Sequence, residues 1–156
     1  MKCLITGGAG FIGSNLVDQL IKLNHQVIVI DNLSTGQKSN LDHLIKKIEF
    51  VNEDISKDKK NIEKFFQDVD WVFHLAGLAD IVPSITNPDN YFRANVQGTI
   101  NVLEASRNAK IKKFVYAASA SCYGIPTDYP TNENCKIDTQ YPYALTKNLG
   151  EQIVMH

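Results

Sequence analysis

A chain of 156 residues, 44% hydrophobic and 21% charged, has enough apolar side chain to close one core and matches the size of a single domain, residues 1–156. Sixteen basic against seventeen acidic residues leave a formal charge of −1, so no positive field is available for a phosphate polymer or an anionic membrane, and a small molecule is the expected partner. No apolar run approaches the roughly 20 residues that span a bilayer, and Met1 leads directly into Lys2-Cys3-Leu4-Ile5-Thr6 without signal-peptide architecture, so a cytoplasmic protein is expected. Cys3, Cys122 and Cys135 have no CxxC spacing, and His25, His43, His74 and His156 form no HxH or HxxxH pair; neither a metal site nor a disulfide framework is expected.

In chain order, five short apolar runs read as strands: residues 2–6, 26–31, 48–52, 71–75 and 113–118. Val27-Ile28-Val29-Ile30 is apolar at every position, as in a strand covered on both faces, and helical stretches separate the runs. The expected fold class is α/β, a doubly wound parallel sheet with helices on both faces. Residues 57–61 read as a solvated charge run around a short crossover. Over residues 90–109, Val96, Ile100 and Leu103 recur at helical spacing as the core stripe, with Asn101, Glu104 and Arg107 on the wet side. Residues 124–140 read as a long irregular loop, and loops of that length after a strand usually carry function. No repeat or linker marks a second domain.

The stretch Thr6-Gly7-Gly8-Ala9-Gly10-Phe11-Ile12-Gly13 follows the first strand and opens a helix. Glycines there let the backbone turn tightly and come close to a pyrophosphate at a helix N-terminus, which predicts a dinucleotide site. The second strand ends on Asp31, the position from which a carboxylate accepts hydrogen bonds from the adenosine ribose and repels a 2′-phosphate. No Arg or Lys lies between Asn32 and Gln37, so NAD is expected over NADP.

Further along, Tyr143-Ala144-Leu145-Thr146-Lys147 places a phenol and an ammonium at i and i+4 on a helix that starts after Pro142. A phenol ordinarily ionises near pH 10, so one acting as a base at neutral pH needs positive charge beside it, which Lys147 and an oxidised nicotinamide would supply. Ser119, after the fifth strand, is placed to hydrogen-bond a substrate oxygen and Tyr143. Ser121 and Tyr123 are secondary candidates for substrate contact.

These residues resemble the extended short-chain dehydrogenase/reductases, and among them the UDP-glucose 4-epimerase group, along essentially the whole chain. The resemblance implies a Rossmann domain with a cofactor shell made of Gly7, Gly10, Phe11, Ile12 and Gly13 in the glycine loop; Asp31, Asn32, Ser34, Thr35 and Gly36 at the adenosine ribose; Asp54 and Ile55 at the adenine; Leu75, Ala76 and Gly77 after the fourth strand; and Asn95, Tyr143 and Lys147 at the nicotinamide side. It assigns Ser119, Tyr143 and Lys147 to catalysis and Ser84, Ser119 and Ser121 to the substrate. Ser119-Ala120-Ser121-Cys122-Tyr123-Gly124 lacks the Asp-Glu pair of nucleotide-sugar dehydratases and carries Cys122 where decarboxylases have a glutamate. Ala79 stands where galactose-pathway epimerases carry a lysine.

The implied activity is NAD-dependent 4-epimerisation of a nucleotide sugar, with UDP as the expected carrier, in a homodimer. The family continues into a C-terminal substrate domain, expected to be missing beyond His156. A non-catalytic NAD-binding fragment, and a nucleotide-sugar ketoreductase or dehydratase of the same family, are the alternative expectations.

Overall fold

Cys3, Leu4 and Ile5 are all fully buried although alternate side chains of a strand point to opposite faces, so this strand is covered on both sides. The computed structural model describes residues 1–127 and 129–156. Its strands are β1 (Lys2–Thr6), β2 (Gln26–Asp31), β3 (Glu49–Asn52), β4 (Trp71–His74) and β5 (Lys113–Tyr116), parallel throughout and ordered β3-β2-β1-β4-β5. That is the doubly wound α/β architecture expected from the sequence.

Two apolar layers flank the sheet. Cys3, Ile5, Val27 and Val29 meet Val17 and Leu20 of helix α1 (Phe11–Lys22) and Leu41 and Leu44 of the 3-10 segment Lys38–Leu44. On the other side Leu4, Ile28, Ile30 and Val72 meet Ile62, Phe66, Val102 and Ala105. Ile62 belongs to the short helix α2 (Lys60–Glu63), which continues into a 3-10 turn bearing Phe66, so the two core side chains follow directly on the charge run at 57–61.

After β4 the chain forms α3 (Ile81–Thr86), α4 (Pro88–Tyr91), a π turn (Phe92–Gln97) and α5 (Gly98–Asn108). The long helix was expected here, but its buried face is different. Asn95, Thr99, Val102, Ala105 and Ser106 point inward, while Val96, Ile100 and Leu103 are half-buried on a neighbouring face. Asn101 corrects the sequence reading too. It is buried and donates through Nδ2 to the carbonyls of Ile55 (2.7 Å) and Lys57 (2.8 Å), tying α5 to the segment after β3.

Helix α6 (Pro142–Met155) starts with proline at its first turn, where the missing N–H costs nothing. Residues 124–140 form no helix or strand among the described positions. Among the described residues, no helix is long and apolar enough to cross a membrane.

Candidate active site

The site is built at the carboxyl ends of the strands, where β1 stops. Gly7 adopts φ +73°, and a Cβ there would lie 2.7 Å from the Ala76 nitrogen. Gly13 sits so close that a Cβ would run into the Gly7 carbonyl and approach the Gly8 Cα to 2.7 Å. These two positions admit only glycine, and they bring the loop backbone flat against the start of α1. That helix has no side-chain cap and no acidic residue in its first turn. The amides of its first turn lack intrahelical partners, so they present an electropositive edge suited to a phosphate.

A cleft of about 350 Å³ opens over this edge, within the size range of small-molecule sites. It gathers the glycine-loop residues Gly7, Gly10, Phe11, Ile12 and Gly13 with Asp31, Asn32, Ser34, Thr35 and Gly36 from the end of β2. Asp54 and Ile55 after β3, and Leu75, Ala76 and Gly77 after β4, line it as well, whereas Asn95, Tyr143 and Lys147 of the expected shell do not. Ile30, Glu53, Leu78, Ala94 and Ala117 also line it and were missed, because no motif spacing marks them.

Asp31 lines the cleft from the end of β2. Its Oδ2 accepts from the Ala9 amide (2.9 Å) and its Oδ1 from the Leu33 amide (2.8 Å), so the carboxylate fixes the glycine loop and its own turn together. At Asp54, burial works against ionisation, but hydrogen bonds from the Ser56 amide and hydroxyl, with Asn32 and Lys57 nearby, outweigh it and hold the carboxyl below its ordinary range.

Asn95, Ser119, Tyr143 and Lys147 lie outside the lining itself. Asn95 is buried and pins Leu78 through both backbone groups: Oδ1 accepts from the Leu78 amide at 2.8 Å and Nδ2 donates to its carbonyl at 3.0 Å. The same Nδ2 donates to the Thr146 hydroxyl of α6 at 3.0 Å. Asn95 thus fastens the cleft wall to the helix that carries Tyr143 and Lys147. A Cβ on Gly77 would lie 3.9 Å from Lys147 Nζ, so the ammonium borders the cleft. Burial pulls the Lys147 ammonium down to about 8.

Ser119 begins a short 3-10 turn, Ala120–Tyr123, after a strand that ends at Tyr116 instead of residue 118. Its Oγ accepts from the Ser121 amide and from the Tyr143 hydroxyl, both at 3.2 Å. With two hydrogen bonds accepted, the Ser119 proton is free to be donated to a third oxygen.

The residues expected on the substrate side lie away from this edge. Ser84 is fully buried and donates to the Ile81 carbonyl at 2.6 Å within α3, so its hydroxyl is outside the cleft lining. Ser121 reaches the site through its backbone amide. Cys122 is buried, with its thiol pushed up by burial and by Glu151, the opposite of an activated thiolate. Among the described residues, no group of three or more His, Cys, Asp or Glu side chains is placed to hold a metal ion.

Residues 3–156 match the NAD dependent epimerase/dehydratase family. The chain is 39% identical over 155 residues to a UDP-glucose 4-epimerase from Mycolicibacterium smegmatis, covering 97% of this chain and 49% of that protein. In shape it matches the UDP-glucose 4-epimerase of Thermotoga maritima with UDP-glucose at a TM-score of 0.93 and 34% identity, covering 99% of this chain and 50% of that one. The Thermus thermophilus UDP-glucose 4-epimerase complex with NAD gives 0.91 and 34%, again over 99% of this chain and 50% of that one. The chain spans about half the length of the curated relatives it matches.

Proposed function

This chain belongs to the NAD dependent epimerase/dehydratase family, and on that footing we propose that it forms the cofactor half of a cytoplasmic enzyme that inverts C4 of a UDP-sugar. The observation that carries this reading is the 3.2 Å contact between the Tyr143 hydroxyl and Ser119 Oγ, on the helix whose Lys147 borders a cleft framed by the glycine loop and Asp31. The cleft fits a dinucleotide: an acid-free helix start for the pyrophosphate, a carboxylate for the ribose hydroxyls, and two glycines whose side chains would fill the approach. Held there, NAD would supply the hydride acceptor for oxidation at C4 of the sugar and, reduced, the hydride donor for the reverse.

The chain's own residues handle the proton. Tyr143, acting as the phenolate, takes it from the C4 hydroxyl as that carbon is oxidised to a ketone, and as the phenol gives it back on reduction. Ser119 donates its free proton to the same sugar oxygen and keeps the phenol aimed at it. Lys147, one turn along α6, holds positive charge beside both the cofactor ribose and the phenol. Net epimerisation follows when the ketone presents its other face for reduction, and no other acid is required.

A homodimer is part of the proposal, supported by the half-buried Val96, Ile100 and Leu103 and by the exposed Leu145 on α6. A second reading, NAD binding without turnover, is favoured by one fact: the chain spans about half of its relatives.

The test is titration with NAD beside an assay for interconversion of UDP-glucose and UDP-galactose and of their N-acetyl forms. The expected result is binding with turnover, with Tyr143→Phe lowering turnover by at least about a hundredfold while NAD affinity stays within a few-fold. Binding without turnover selects the second reading. Near-normal turnover in Tyr143→Phe removes the proposed chemistry, and absence of NAD binding removes both readings.

A further inference from the structure

The ends of β1 and β4 lie in register, Thr6 beside His74, and a line of buried polar side chains leaves the sheet from there. Thr6 Oγ1 is 2.6 Å from His74 Nδ1, and His74 Nε2 is 2.9 Å from Thr99 Oγ1. Thr99 Oγ1 donates to the Asn95 carbonyl at 2.6 Å. Asn95 Nδ2 reaches the Thr146 hydroxyl at 3.0 Å, and that hydroxyl donates to the Tyr143 carbonyl at 2.8 Å. Each of the five side-chain-bearing residues is at most 2% exposed, so water is not available to replace a lost partner.

The direction of every bond in this line is fixed. A carbonyl only accepts, so the Thr99 proton goes to Asn95. Thr99 oxygen is then free to accept, and His74 Nε2 must carry a hydrogen. His74 Nδ1 is left bare and accepts from the Thr6 hydroxyl, which itself accepts the Ala76 amide at 3.3 Å. Burial, seconded by the Lys147 charge, lowers the imidazole to about 3, in keeping with a neutral ring. The π turn that holds Asn95 breaks the helical register between α4 and α5, a distortion that often marks a site under functional constraint.

We propose that His74 is a positioning residue, which through its Nε2–H tautomer and the Thr99–Asn95–Thr146 line locks the strand ends under the glycine loop to the helix bearing Tyr143 and Lys147. His74 touches no reacting atom; it sets the separation of the two halves of the site. This role rests on the proposed assignment of Tyr143 and Lys147 to catalysis, while the tautomer and the mechanical link stand on the geometry alone.

The test begins with nitrogen-15 NMR of the histidines in the unaltered chain. The expected spectrum gives His74 a protonated Nε2 and a bare Nδ1, unchanged from pH 5 to 9; a protonated Nδ1, or titration in that range, overturns the proposal. Amide exchange follows in Thr99→Val, which removes the hydroxyl and keeps the shape, and in Thr99→Ser, which restores the hydroxyl. Protection across residues 146–150 is expected to fall about tenfold in the valine variant and recover in the serine variant, while β2 is unaffected. Equal protection in both, or loss spread over the whole sheet, overturns the link.

In the turnover assay, Thr99→Val is expected to lower kcat about tenfold with NAD affinity within twofold; kcat left unchanged overturns the positioning role. Should the unaltered chain turn nothing over, the proposed function fails there, and the NMR and exchange results still decide the tautomer and the link. If the valine variant does not fold, the tautomer in the unaltered chain decides.

Discussion

The Lys147 ammonium lies 4.4 Å from the centroid of the Tyr116 ring, and the Tyr116 hydroxyl donates to the Lys147 carbonyl at 3.3 Å. A lysine is thus buried against an aromatic face, and no carboxylate forms a salt bridge with it among the described residues. The ring offsets part of the desolvation, a contribution of about 1–2 kcal/mol for a buried cation–π contact. Burial still lowers the ammonium from 10.5 to about 8. Below pH 8 the folded chain carries the charge at a cost in stability; as pH rises from 8 to 10.5 the unfolded chain alone still holds the proton, and the cost fades. Lys147→Met is therefore expected to be more stable than the parent by about 1–3 kcal/mol at pH 7, with the difference gone near pH 10.5, and to bind NAD at least about tenfold more weakly. Urea unfolding at both pH values, with NAD titration, measures this; a less stable Met variant at pH 7 contradicts it.

Gly150 is what lets the Tyr116 ring occupy its place. A Cβ on Gly150 would run into the Tyr116 hydroxyl and lie 2.9 Å from the ring carbon that bears it. Gly150→Ala is expected to cost about 1–3 kcal/mol from overpacking. Tyr116→Phe removes the hydroxyl that takes most of the overlap, so the double variant should be less destabilised than the sum of the two singles, by at least about 0.5 kcal/mol. Additive losses in thermal or urea unfolding would show that the two side chains do not press on each other.

Much of this was legible in the sequence because burial on both faces leaves an unbroken apolar run: β1 and β2 have the boundaries read from Cys3-Leu4-Ile5 and Val27-Ile28-Val29-Ile30. The cleft was legible because a dinucleotide loop requires glycine at fixed spacing, and Gly7 and Gly13 are sterically obligatory. What escaped has physical reasons. Helix α3 leaves Ile81, Val82 and Ile85 well exposed, so it carries no amphipathic signature. Apart from Val102, the inward face of α5 is built from Thr99, Asn101, Ala105 and Ser106, small or polar residues that a hydrophobic pattern does not register, and Val96, Ile100 and Leu103 drew the stripe to the wrong side. The contacts of Lys147 with Tyr116 and of His74 with Thr99 join distant elements, and no local spacing encodes them.

Asp31 serves the glycine loop itself as well as a ligand, and the two roles separate on substitution. Asp31→Asn keeps an oxygen acceptor for one of the Ala9 and Leu33 amides and removes the charge that repels a 2′-phosphate. NAD affinity is expected to fall several-fold while the NAD-to-NADP preference drops by about tenfold or more. Parallel titrations with the two cofactors decide it; an unchanged preference would mean that another group discriminates between them.

His74 gives the chain a specific weakness to acid. Its ring is 1% exposed and burial, with the Lys147 charge, lowers it from 6.5 to about 3. Above pH 6.5 the imidazole is neutral in both folded and unfolded chains and contributes no pH dependence. Between 6.5 and 3 the unfolded chain takes up the proton and the folded chain does not, so stability drops by up to about 1.4 kcal/mol for each unit of pH. Glutamine at this position has no ionisable group yet retains an amide donor for Thr99. His74→Gln is accordingly expected to lose some stability at pH 7 and to show a shallower decline than the parent from pH 6.5 to 4, so that the two curves converge. Urea midpoints taken across that range test the sign directly, since parallel curves would mean that the folded chain accepts the proton at His74 as readily as the unfolded one.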